Sequence, residues 1–282
     1  APMPQVAPKL SIRQLATLER QVAEPRAADP RSFSLVTRLV QLAPEMHERA
    51  RGRRAPVSLH LAKLGPKALM PSLEILALEP ARGKVPLVSV RRDVIEAVGL
   101  LRDPRALPIL FAIIDDEDED AETTRTATEA IARIGTEEAA TKILSVLDSA
   151  RGERARAVVA GMGECRRLRV AEALAERLRT TTDEATVLAA ARALGRAGNA
   201  WAWKTLSDRH EEAKIRSIAA RALVDAFVRY EGEARAAAAN ALLVVDAPET
   251  LVLIAEASSS ASPQASEALQ ALRARVERNP AR

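Results

Sequence analysis

Glu96-Ala97-Val98-Gly99-Leu100-Leu101-Arg102-Asp103-Pro104-Arg105-Ala106-Leu107-Pro108-Ile109-Leu110 reads as the end of one helix, a tight turn and the start of the next. Asp103 offers a side-chain oxygen to the first backbone N–H groups of the second helix, and Pro104 gives up only an N–H that has no partner inside it. The pattern recurs as Glu129-Ala130-Ile131-Ala132-Arg133-Ile134-Gly135-Thr136-Glu137-Glu138-Ala139, and Glu96 to Glu129 is 33 positions. In this copy Thr136 is the expected cap, and Glu137 and Glu138 set negative charge against the positive end of the helix dipole. Behind the caps, Ile109, Leu110 and Ile113, then Ala139, Ile143, Leu144 and Leu147, recur every three to four residues. One such pair cannot bury its stripe alone. The stretch therefore predicts an all-α, right-handed α-solenoid of roughly six to seven degenerate helix pairs, with Ile109, Leu110, Ile143 and Leu144 buried between layers.

Weaker copies lie on both sides. Leu64-Gly65-Pro66-Lys67-Ala68-Leu69 repeats the turn before the strong copy; Val159 to Glu164, Leu194 to Asn199 and Leu242 to Glu249 repeat it afterwards. Ser11 with Gln14 and Thr181 with Glu184 have capping-box spacing. The first helix carries Ile12, Leu15, Leu18 and Val22 and is expected to end before Pro25; Pro30 can open a second, and Pro44 a short basic piece. Two Ala-rich helices are expected at about residues 213–228 and 233–245, with their pairing open. Ser258-Ser259-Ser260 is expected to break the chain, and Ser262-Pro263 to open a closing helix. The division is a Pro-rich leader at 1–10, N-terminal helices capping the array at 11–55, the repeat array at 56–262, and a closing helix and tail at 263–282.

Composition agrees with helix-on-helix packing. Hydrophobic residues make up 48% and aromatics only 2% of the 282 residues, so Ala and Leu carry the apolar content, as close helix crossings require. There are 42 basic and 38 acidic residues, a formal charge of +4 that steers a polyanion weakly. Cys165 alone cannot build a disulfide or a cysteine zinc site and is expected to be a small buried hydrophobe. No run is long and apolar enough to span a bilayer. The start at Ala1-Pro2 without methionine suggests a periplasmic or secreted protein, with a cytoplasmic one as the alternative.

The Glu-Ala-x-Gly/Ala-x-x-x-Asp-Pro-Arg-Ala-Leu-Pro-x-Leu pattern, carried best by Glu96 to Leu110, resembles the HEAT-like repeat of the phycocyanobilin-lyase type. The resemblance covers about residues 56–253. Proteins with such repeats include lyase subunits, scaffolds, nucleic-acid binders and a non-haem iron hydroxylase, so it implies a fold and leaves function to the sites.

His47-Glu48 and His210-Glu211 resemble the His-Glu pairs that hold a di-iron centre in the deoxyhypusine hydroxylases. That resemblance implies four pairs, and this chain has two, with His60 as its remaining imidazole, so no metal site is assigned. The acidic run Asp115 to Asp120 lacks the glycine and alternating spacing of a calcium loop and reads as a solvated turn. Trp201 and Trp203 are two apart and point about 200° from one another on a helix, so a single stripe cannot bury both. Arg151, Arg154, Arg156, Arg166, Arg167 and Arg169 flank one repeat turn with Glu153, Glu164 and Glu172 interleaved.

No catalytic triad, phosphate loop or dinucleotide turn is visible, so neither catalytic nor cofactor-binding residues are assigned and the chain reads as non-enzymatic. The expectation is a scaffold or adaptor that binds a protein partner through Trp201, Trp203, Lys204, Arg166, Arg167 and Arg169. The alternative is a nucleic-acid binder like the DNA alkylation-repeat glycosylases, using an arginine-rich face.

Overall fold

A computed structural model describes residues 8–51 and 56–279. The leader residues 1–7 and the Gly52-Arg53-Arg54 part of the basic linker lie outside the described residues. Every regular element among those described is helical. The chain divides into two compact units, Ala1–Lys142 and Ile143–Arg282.

The first unit holds α1 (Ile12–Ala28), α2 (Pro30–Arg49), α3 (Val57–Lys63), α4 (Leu69–Leu73), α5 (Glu79–Ala81), α6 (Val88–Leu101), α7 (Leu107–Asp115), α8 (Ala121–Ile134) and the start of α9 (Glu137–Ser149). A π-helical turn, Glu74–Leu78, joins α4 to α5. In the strong repeat, Asp103 accepts from the Arg105 N–H at 2.9 Å, and the chain leaves α6 through Arg102 in the left-handed region. In its successor Gly135 takes that conformation at φ 66° and Thr136 caps through the Ala139 N–H at 3.1 Å. Helices α3, α6 and α8 pack side by side, with α7 against α8. The crossing of α6 on α8 is so close that a Cβ on Gly99 would lie 2.5 Å from the Ala130 Cα. Ile109 and Leu110 are buried as expected.

Several expectations change. Helix α1 continues through Pro25 to Ala28, because a proline near a helix end removes one internal bond while the Asp29 N–H still reaches the Pro25 carbonyl at 2.9 Å. Pro44 likewise lies inside α2. The acidic run is a turn, as expected, but only half of it is solvated: Asp115, Glu117 and Asp118 are exposed while Asp116, Glu119 and Asp120 turn inward. Glu119 and Arg91 form an ion pair at 2.7 Å with both side chains 6% exposed, and Asp120 bonds Arg92 while capping α8 through the Thr123 N–H. Asp116 is buried and accepts from Lys9 at 2.6 Å, and Asp115 pairs with Lys142. Each inward carboxylate thus has a cation or an N–H to answer its burial.

The division between units falls inside α9. Along that helix Ala139, Ala140, Ile143, Val146 and Leu147 are buried, whereas Leu144 is only partly so. The stripe is centred one side of the expected register, and Leu144 sits at its edge.

The second unit continues with α10 (Gly152–Gly161), α11 (Leu168–Thr180), α12 (Glu184–Ala197), α13 (Ala200–Lys204), α14 (Glu212–Arg229), α15 (Gly232–Val245), α16 (Thr250–Ser260) and α17 (Pro263–Glu277). The two Ala-rich helices are α14 and α15, and their pairing is now fixed. They pack on each other, α14 against α11 and α15 against α12, so that α11, α14 and α16 form one layer and α12, α15 and α17 the other. A Cβ on Gly163 would lie 2.9 Å from the Ala193 Cα, and one on Gly195 would lie 3.2 Å from the Ala241 Cα. Asp183 rather than Thr181 caps α12, accepting from the Thr186 N–H at 3.1 Å. The three serines end α16 instead of interrupting the chain, their hydroxyls bonding back to the Ile254, Glu256 and Ala257 carbonyls. Ser262 caps the closing helix as expected, and Cys165 is fully buried.

Candidate interaction surface around the two tryptophans

Asn199 opens the short helix α13 by accepting from the Ala202 N–H at 3.0 Å. With its backbone set, Trp201 and Trp203 must leave on opposite sides. Trp203 goes inward. It is 2% exposed, packs with Ala171, Ala197, Ile215 and the partly buried Leu168 and Leu206, and its indole N–H donates to the Ala197 carbonyl at 2.8 Å. Trp201 goes outward and is 73% exposed, the most exposed large apolar side chain of this unit among the described residues. Lys204, three residues on and therefore on the same helix face as Trp201, is also exposed.

The arginines 166 to 169 are brought to this region by the core beneath it. The Arg166 guanidinium lies over the Trp203 ring at 5.9 Å, donates to the Glu164 carbonyl and approaches its carboxylate at 3.8 Å. Arg167 precedes α11 but has no acceptor with which to cap it; the Glu211 carboxylate does so from a distant loop, accepting from the Leu168 N–H at 3.1 Å. Arg167 also contributes to lowering the Asp208 pKa, after the dominant hydrogen bond from His210. Of the expected set, Trp201, Lys204 and Arg169 are exposed, Arg167 is half-buried, and Trp203 and Arg166 leave the candidate surface. Their correction has one cause: the indole needs a buried acceptor and finds one in Ala197, and its ring then takes the Arg166 cation. The other arginines are also engaged. Arg151 donates to the Asp148 and Ala150 carbonyls, and Arg156 stands 3.9 Å from Asp183.

The histidine pairs do not come together as ligand sets. His47 bonds Asp93 at 2.6 Å within the first unit and His210 bonds Asp208 at 2.6 Å within the second. No cluster of three or more His, Cys, Asp and Glu able to hold a metal occurs among the described residues.

The sequence reading missed a groove of about 310 Å³ between α11 and α14. Its floor includes Ala175, Leu178 and Ile218, and its walls carry both signs of charge, Glu176 with Arg179 at 2.7 Å and Arg221 near Asp225. The outward charged residues of each helix were visible, but the pairing that makes them face one another was not.

These elements, repeated helix pairs joined by capped turns and crossing at glycine and alanine, define an α-helical repeat protein. Residues 86–162 match the family model described as HEAT repeats, so that stretch carries HEAT-like repeats. A solved structure of human deoxyhypusine hydroxylase in complex with glycerol is similar at 18% identity and TM-score 0.37, over 90% of this chain and 99% of that one. No curated protein matches. The non-enzymatic reading is withdrawn: a missing motif in a repeat array does not exclude catalysis, and the similar structure is that of an enzyme. At that TM-score it assigns no activity here. Among the described residues no helix is long and apolar enough to cross a membrane.

Proposed function

We propose that this protein binds a protein partner through the α13 face of its second unit, with Trp201 as the anchor and Lys204 beside it. The observation that carries the reading is the exposure of Trp201 at 73%, in a chain with very few aromatics, on a helix held in place from below by Trp203. Binding energy in protein interfaces concentrates in tryptophan and arginine, and a rigid anchor loses little entropy on binding. The exposed Lys204 beside Trp201 favours an acidic group next to an apolar contact on the partner. A phosphate backbone is a poorer fit, since Arg151, Arg156 and Arg166 are engaged with this chain's own carbonyls and carboxylates and no row of stacking aromatics accompanies them.

Affinity capture with the wild type and Trp201→Ala in parallel tests the reading. A captured protein should be depleted by Trp201→Ala, while a labelled DNA duplex should show no salt-sensitive anisotropy change with either chain. Equal capture by both chains would set the proposal aside.

A further inference from the structure

The first unit carries a second surface, and part of the chain already lies on it. Helix α1 is anchored by Leu18 and Val22, which are buried against the α4 and π-helical stretch, but its first turn is not. Ile12 is 87% exposed and Leu15 only partly buried, so half of the stripe visible in the sequence has no core to enter. Ahead of α1, Lys9 reaches the acidic turn, its Nζ donating to Asp116 at 2.6 Å and to Asp118 at 3.2 Å. Those hydrogen bonds, Asp116 first, hold the ammonium above its usual pKa.

Between these two anchorages the fit is open. A cavity of about 320 Å³ separates Leu10, Arg13 and Thr17 from Leu107, Pro108 and Ile109. A second, of about 650 Å³, lies over Pro108, Phe111 and Ala112 and is rimmed by Asp115, Glu117 and Glu138. A contact evolved as permanent core would be packed to near-crystalline density, and this one is not. The Asp116 side chain is 1% exposed, and while one of its oxygens takes Lys9 and the Asp118 N–H, the other is buried with no hydrogen-bond partner. A carboxylate so placed needs a cation beside it.

We propose that the face made by α7, the acidic turn and the start of α9 is a docking site for a lysine-bearing segment of a partner protein, and that residues 8–17 occupy it in the free chain as a displaceable strap. Lys9 and Leu10 display the chemistry the site takes: an ammonium between the Asp116 and Asp118 carboxylates, followed by an apolar side chain near Leu107 and Pro108. The acidic rim answers a cationic segment, and Lys142 beside it is already turned to Asp115 and over the Phe111 ring at 5.6 Å. A partner segment that fills the two cavities buries apolar surface that the strap leaves wet, which is the differential affinity displacement requires. This surface lies in the first unit and stands or falls independently of the Trp201 reading.

The probe is a fluorescein-labelled synthetic peptide of residues 8–21, titrated into the full wild-type chain and into Lys9→Glu, which sets a carboxylate against Asp116 and Asp118. The Lys9→Glu chain should bind the peptide about tenfold or more tighter than the wild type, whose site is filled. Its amides over residues 107–114 should exchange about tenfold faster until peptide is added. A peptide carrying Lys9→Glu should not bind, and Lys9→Met in the chain should repeat the gain without added repulsion. Equal binding to both chains, or unchanged exchange over 107–114, would overturn the proposal. So would a wild-type dimer lost in Lys9→Glu, because the occupant would then be a second copy.

Discussion

Two tryptophans two positions apart carry opposite duties: Trp203 holds α13 to the α11 and α14 layer, and Trp201 is left to solvent. The spacing makes that opposition legible in the sequence, but which indole turns inward depends on Ala197 offering a carbonyl and on Leu168 and Leu206 closing the cluster, and no local pattern specifies those. Trp203→Ala should cost about 3–5 kcal/mol in chemical denaturation, since it empties a filled site and frees a buried carbonyl. The Arg91 and Glu119 pair gives a prediction of another sort. Burial outweighs the attraction of Arg91 and holds the Glu119 carboxyl above its usual pKa. A raised carboxylate binds its proton more tightly folded than unfolded, so its contribution to stability is full below the unfolded value near 4.5 and falls as pH rises through the folded value. Glu119→Gln should therefore remove a loss of stability on raising the pH across that window, read as a flatter pH profile for the variant and a variant-minus-wild-type difference in midpoint that grows with pH. Glu119→Ala at neutral pH should cost about 3–5 kcal/mol, because it strands a buried guanidinium, and Arg91→Met with Glu119→Leu should cost less than that single change.

At the scale of elements, the caps and crossings were the most legible features. Asp103, Thr136, Ser11 and Ser262 cap where local hydrogen-bonding chemistry places them, because capping needs only a short side chain and the next few N–H groups. Two prolines misled: Pro25 read as a helix end and Pro44 as the opening of a separate basic piece, yet both lie within helices. The α9 register was readable only to within one residue. Ile143 is fully buried and Leu144 is at the stripe's edge, so Ile143→Ala should cost about 2–5 kcal/mol and Leu144→Ala distinctly less. Reversal of that order in denaturant titration would put the helix face back where the sequence alone suggested. Gly99 tests the crossings. Its added Cβ would meet the Ala130 backbone at 2.5 Å, which a rotamer change cannot relieve, so Gly99→Ala should destabilise by about 1–3 kcal/mol despite its better helix propensity.

At the scale of the molecule, repetition told the fold because each helix pair must state its own turn and stripe, and two clear copies suffice to find the others. The acidic run showed the limit of that reading. Six carboxylates in a row all look solvated, yet Asp116, Glu119 and Asp120 turn inward to Lys9, Arg91 and Arg92, which come from elsewhere in the first unit. The candidate surface was half legible: the tryptophan spacing showed that both indoles could not be buried on one stripe, while the burial of Trp203 and the engagement of Arg166 needed three-dimensional neighbours. The measurement that bears most directly on the central claim is the dissociation constant of the captured partner for the wild type and for Trp201→Ala, taken with thermal midpoints of both chains. The account predicts weakening of about 2 kcal/mol or more, roughly thirtyfold, with the midpoint nearly unchanged. An unchanged dissociation constant for Trp201→Ala, with its fold intact, would contradict it.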